Sequence, residues 1–168
     1  MNTLLLLAAT CTAPINQDVG VVTSYYGWRI LMGRSEKTVH TGIDIRAPFG
    51  TPVHAVRSGR VTFARQDDRG GGLMIDITSR YQGKILITRY AHLSKVVVRA
   101  GMTVKANQLI GKVGSTGNST GPHLHFETLI KRPGNTDLYK DPDPFVCLYR
   151  RDVLLPHFKF QRRIKISK

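Results

Sequence analysis

Residues 120–127 read TGPHLHFE, so that His123 and His125 stand one residue apart. Side chains alternate along a strand with a period of two, and both imidazoles can therefore approach one point. His40 and Asp44 open and close the stretch HTGID. A straight strand would hold them roughly 13 Å apart, but Gly42 between them permits a bend, because a residue without Cβ tolerates the dihedral angles of a bulge or tight turn. Imidazole and carboxylate are ordinary zinc ligands. His40, Asp44 and one histidine of the H-x-H pair make three protein ligands with a fourth position left for water. That is the pattern of a catalytic zinc; structural zinc is closed by four ligands and is often rich in cysteine. Two neutral imidazoles and one carboxylate leave the site net positive, able to polarise a carbonyl and to bring the pKa of a bound water to about 7.

Such a site needs a proton acceptor near the water. The spare histidine of H-x-H faces the metal side, and RYAHLS offers His92 at the end of another strand-like segment. Glu127 shares the face of His123 and His125; a role behind the metal ligands or a structural role is open to it, and the structural one is favoured, since the metal has three ligands without it. His54 and His157 read as packing or surface residues.

These residues must be positioned by short elements. From about residue 20 to residue 130 the chain consists of β-branched segments broken by Gly, Pro, Asn and Asp, among them TGIDIRAPFG, TPVHAVRSGRVTFAR, GGLMIDITS, GKILITRYAHL and HLHFETLI. No stretch of ten residues keeps a helical period, and the expected fold is mainly β, a sandwich or barrel. The glycine-rich stretches RGGG (69–72) and GSTGNSTG (114–121) are either simple turns or the borders of a cleft. There is no internal repeat and no linker between two domains; KDPDPF (140–145) is the nearest thing to a boundary.

At 168 residues the chain has the length of one domain with a proper core. A hydrophobic share of 41% with 21% charged residues argues against wholesale disorder and against a polytopic membrane protein. The net charge is +14, from 25 Lys and Arg against 11 Asp and Glu, which predicts attraction to a polyanion. Much of it lies in residues 150–168, a basic tail expected to be solvated and to hold the protein near an anionic surface. The two cysteines, Cys11 and Cys147, form no metal or redox motif. The apolar run at residues 4–9 is too short to span a bilayer and reads as a weak export signal or a frayed apolar N-terminus. The organisation expected is a leader-like or extended segment 1–19, a catalytic domain 20–146 and a basic tail 147–168.

YGWR, HTGIDIRAPFGTPVHAVRSGRV, RYAHLS, VKANQLIGKVGSTGNSTGPHLHFE and DPDPF, in this order from about Tyr25 to Phe145, resemble the signature blocks of the lysostaphin-type (LytM-like) zinc endopeptidases of bacterial cell walls. The resemblance implies one Zn²⁺ per chain held by His40, Asp44 and His125, with His123 and His92 acting on the catalytic water and the developing oxyanion. It also implies an antiparallel β-sheet or barrel-sandwich of the duplicated-hybrid-motif kind, with a zinc-containing groove open to a mesh-like substrate. The substrate implied is peptidoglycan, cleaved at cross-link or stem-peptide bonds, and the setting is periplasm, cell envelope or exterior. Two departures are visible: the central strand runs on as DITSRYQG without the histidine frequent in relatives, and KANQLIG stands where relatives carry Lys-Arg-Gly.

Three rival readings are weaker. A cupin-type metal enzyme needs a later histidine within its barrel, and the only later one is His157 in the basic tail. A non-catalytic wall-binding or amidase-activating module is disfavoured because every ligand position is retained. Specific nucleic-acid binding rests on charge alone, without the aromatic-basic patterns of single-strand binders. Anionic wall polymers are the partners the basic surface suits.

Overall fold

The protein is seen in a computed structural model that describes residues 12–30 and 37–142. The described residues form strands and turns without helix. The strands are β1 (Val21–Ser24), β2 (Gly27–Ile30), β3 (Lys37–His40), β4 (Ile43–Arg46), β5 (Pro52–His54), β6 (Gly59–Asp67), β7 (Gly72–Tyr81), β8 (Lys84–Val96), β9 (Thr103–Val104), β10 (Leu109–Val113), β11 (His123–Ile130) and β12 (Leu138–Lys140).

All pairings are antiparallel. The main sheet runs β1-β4-β11-β8-β7-β6-β9, with β10 joining β5 to β8 and β12 on β11; β2 and β3 form a separate ribbon. The mainly β, antiparallel expectation holds, while the sheet stays open rather than closing into a barrel. The longest strands, β7 and β8, are joined by a two-residue turn in which Gln82 and Gly83 both have positive φ, the geometry that matches the right-handed twist of a hairpin.

Alternation divides the sheet into two faces. On β11, Leu124 and Phe126 are fully buried, and they join Ile43, Ile45, Ile75, Ile77, Tyr90, Leu93 and Ile110 in a single core. Their neighbours His123, His125 and Glu127 turn to the opposite face. The Tyr90 and Phe126 rings meet at 5.1 Å, and the buried Tyr90 hydroxyl accepts a hydrogen bond from the Val56 N–H. Ile15, inside the leader-like stretch 1–19, is also fully buried in this core, and the Pro14 carbonyl accepts from the His54 N–H. The packed unit therefore reaches further toward the N-terminus than a boundary at residue 20. Residues 1–11, Cys147, His157 and the basic tail lie outside the described residues. Among the described residues, no helix is long and apolar enough to cross a membrane.

Candidate functional site

His40 closes β3 and Asp44 lies in β4, with Thr41 and Gly42 forming the bend that the H-x-x-x-D spacing requires. The reason for the glycine differs from the one expected. Gly42 does not occupy the left-handed region; a Cβ there would stand 2.3 Å from the Phe126 carbonyl oxygen and 2.9 Å from Glu127 Cγ. Closeness to β11 demands the missing side chain. In the ladder β4–β11, Asp44 is paired with His125, so the carboxylate and the second H-x-H imidazole meet as cross-strand neighbours.

Three acceptor atoms converge as a result. His40 Nε2 is 3.1 Å from Asp44 Oδ1 and 3.2 Å from His125 Nδ1, and His125 Nδ1 is 2.8 Å from Asp44 Oδ1. Outer contacts select these atoms. His40 Nδ1 faces the Tyr25 carbonyl at 2.9 Å and must donate to it, which leaves Nε2 as a lone pair. His125 Nε2 donates to Glu127 Oε1 at 3.0 Å, which leaves Nδ1. Asp44 Oδ2 lies 3.7 Å from Arg29 Nη1. Tetrahedral ligands with bonds of about 2.1 Å stand about 3.4 Å apart, close to the separations seen. An N, N, O donor set with both spare ring nitrogens already committed fits a zinc ion.

The electrostatics agree. Burial alone would raise the Asp44 pKa, but hydrogen bonds from His125 and His40 bring it well below the usual carboxylate range. Burial alone would push His125 down, but Asp44 and Glu127 outweigh it and hold the imidazole up at about 9. Two carboxylates flanking one ring favour positive charge at that point, and a divalent cation answers the same field.

His92 and His123 stand on the other side of this cluster. Their ring centroids are 4.7 Å apart, and His92 lies 5.7 Å from His125. His92 Nδ1 donates to the Thr116 carbonyl at 2.8 Å, and His123 Nδ1 donates to the Gly121 carbonyl at 2.8 Å. Each ring thus keeps a lone pair on Nε2, and that of His123 is 3.7 Å from Asp44 Oδ1. Burial lowers the His92 pKa and keeps it neutral.

Strict alternation along β8 would send His92 to the core face with Tyr90. A bulge prevents this: Leu73 pairs with Leu93 but Ile75 with Tyr90, so Ala91 and His92 together face one residue of β7. His92 takes φ +62°, a sparsely populated conformation for a non-glycine residue. Its N–H donates to the Gly71 carbonyl at 2.9 Å. The two glycine-rich stretches support this corner. Thr116 Oγ1 accepts from the Leu73 N–H and donates to the Leu93 carbonyl, and Asn118 N–H donates to the Gly70 carbonyl. Gly72, at φ +65°, approaches Thr116 too closely for any side chain. Gly70, Gly71 and Asn118 also line a groove of about 630 Å³ that contains all five predicted residues. The stretches are therefore borders of the cleft as well as turns.

Of the two roles open to Glu127, its direct bond to His125 favours the one behind the metal ligands over the purely structural one. Sequence reasoning missed Arg89 and Asp76, whose side chains form a two-point ion pair at 2.8 and 2.9 Å on the groove face. One signal was present: Asp76 is the single acid in the apolar run LMIDI, and a charge inside a buried strand needs a partner. His54 lies apart from the groove, where burial lowers its pKa.

Comparisons with known proteins place the chain in a family. The family model described as Peptidase family M23 matches residues 38–137. Lysostaphin of Staphylococcus staphylolyticus is 41% identical over 108 residues, which cover 64% of this chain and 22% of that protein. Peptidoglycan DD-endopeptidase ShyB of Vibrio cholerae serotype O1 is 42% identical over 93 residues, covering 55% and 21%. The chain thus spans about a fifth of the length of these curated relatives. A crystal structure of a zinc-containing peptidase from Vibrio cholerae superposes with a TM-score of 0.66 at 31% identity, covering 77% of this chain and 38% of that one. With a family model matched over most of its length and a strand framework shared with a solved zinc-containing peptidase, the chain belongs to peptidase family M23.

Proposed function

We propose that this protein is a zinc-dependent endopeptidase that hydrolyses peptide bonds in the cross-links or stem peptides of peptidoglycan. The observation that carries the reading is the convergence of His40 Nε2, Asp44 Oδ1 and His125 Nδ1 beside two further imidazoles whose Nε2 atoms are free to accept protons. His40, Asp44 and His125 would hold the zinc ion, which when bound would supply Lewis acidity toward the scissile carbonyl and the attacking water.

The chain's own groups do the remainder. Either His92 or His123 takes a proton from the attacking water at Nε2; once protonated, the ring donates to the oxyanion or to the departing amine. The Thr116 and Gly121 carbonyls hold the two rings through Nδ1–H, so proton exchange is directed to Nε2. The open groove suits an extended peptide within a mesh. The names of the curated relatives support peptidoglycan as substrate and a site of action in the periplasm, the envelope or the exterior. The net charge of +14 favours retention on anionic wall polymers.

The test is mass spectrometry of fragments released from purified peptidoglycan by zinc-loaded protein, with a chelator-treated sample beside it. Chelator-sensitive release of peptide-cleaved fragments is expected and identifies the bond. Zinc-loaded protein that releases nothing from several wall chemistries would replace the enzyme with a binding or activating module.

A further inference from the structure

We propose that Glu127, held by Arg89, is a positioning residue that sets the metal-binding face of His125. This rests on the zinc reading above, and it concerns groups outside the three proposed ligands. Asp76, Arg89 and Glu127 form one row across three neighbouring strands, since Asp76 pairs with Arg89 in the β7–β8 ladder and Glu127 pairs with Arg89 in the β11–β8 ladder. Glu127 is 5% exposed, and both of its oxygens are engaged. Oε1 accepts from Thr41 Oγ1 and from His125 Nε2; Oε2 accepts from Arg89 Nη1 at 3.2 Å. Arg89 Nε and Nη2 are turned to Asp76, so the guanidinium bridges two buried carboxylates.

The row has a direction. Asp76 fixes the guanidinium by a two-point contact, which leaves Nη1 aimed at Glu127. Glu127 then offers Oε1 to His125, and the imidazole must carry its proton on Nε2 and present Nδ1 to His40 and Asp44. Thr41 belongs to the bend that also carries His40. Its hydroxyl therefore ties the carboxylate that orients one ligand to the backbone that places another. Ala91, opposite His125 in the ladder, adds no side chain long enough to orient the ring from β8.

The test is zinc affinity measured by chelator competition on the wild-type chain, Glu127→Gln and Thr41→Val, with visible spectra of the Co²⁺-loaded proteins and melting curves as a check on folding. Glu127→Gln keeps the shape and removes the charge; a loss of roughly 10- to 100-fold in zinc affinity is expected, with a displaced Co²⁺ absorption band. Thr41→Val leaves every charge of the row in place, and a smaller, severalfold loss is expected; it decides the matter if Glu127→Gln does not fold. Folded Glu127→Gln with wild-type affinity and an unshifted band would overturn the proposal and leave the row as a fold-stabilising ion cluster. A wild-type chain that takes up no zinc would overturn the zinc reading itself, and this inference with it.

Discussion

The two groups of histidines in the groove are held in different ways. The rings of the candidate ligands are gripped from outside by Glu127 and by the Tyr25 carbonyl, and His125 lies opposite Asp44 in the β4–β11 ladder. His92 and His123 hang from carbonyls of the 114–121 loop, and His92 sits on a strand bulge. The difference matches the work proposed for each. A metal ligand must keep one lone pair aimed at a fixed point, and each ring has its second nitrogen engaged to that end, His125 by a carboxylate on its own strand and His40 by a backbone carbonyl. A proton-transferring ring must keep one nitrogen available to water and substrate, and a loop-borne carbonyl fixes its tautomer by engaging the other.

This contrast can be broken by mutation, starting with the ligands. Asp44→Ala or His125→Ala is expected to remove zinc and reduce wall-fragment release to the level of the chelated protein; metal analysis beside the release assay checks both at once. Full turnover in His40→Ala would show that the cluster is not the catalytic centre. His92→Ala or His123→Ala is expected to lower kcat by about 10²- to 10⁴-fold while zinc content stays at one per chain. Loss of zinc in either variant would erase the distinction between the two groups.

Gly42→Ala should act on the ligand group alone. Its Cβ would collide with the Phe126 carbonyl, and forcing the bend away from β11 costs about 1–3 kcal/mol of stability, with weaker zinc binding. Thermal melting and chelator competition measure the two effects. The smallest expected effect concerns pH. Burial lowers the His92 pKa from 6.5, so its neutral, proton-accepting form persists to more acid solution, and the acid limb of kcat/KM at saturating zinc should fall below pH 6.5. A limb at or above that value would count against His92 as the base.

Much of the site was legible before any coordinates. H-x-H on a strand places two rings on one face by alternation alone, and the ordered blocks from YGWR to DPDPF carried the family resemblance, with which the M23 match agrees. The mainly β fold also followed from short β-branched runs punctuated by turn residues. These are local properties, expressed within a strand or a few residues of chain.

What the sequence left open depends on which strands lie side by side. The sequence leaves Glu127 between a structural role and one behind the ligands, because its bond to His125 is a matter of rotamer and the row from Asp76 through Arg89 needs three strands in register. The spacing of HTGID points to the dihedral freedom of Gly42, whereas the constraint is a neighbouring carbonyl that only the β4–β11 pairing brings close. Alternation would have turned His92 into the core; the bulge that reverses it is stabilised by Gly71 in the turn before β7 and by Thr116 more than twenty residues away. The chain by itself determined which groups could ligate and in what order they occur. The open antiparallel sheet decided how each is aimed, because orientation is set by cross-strand neighbours that a linear pattern does not name.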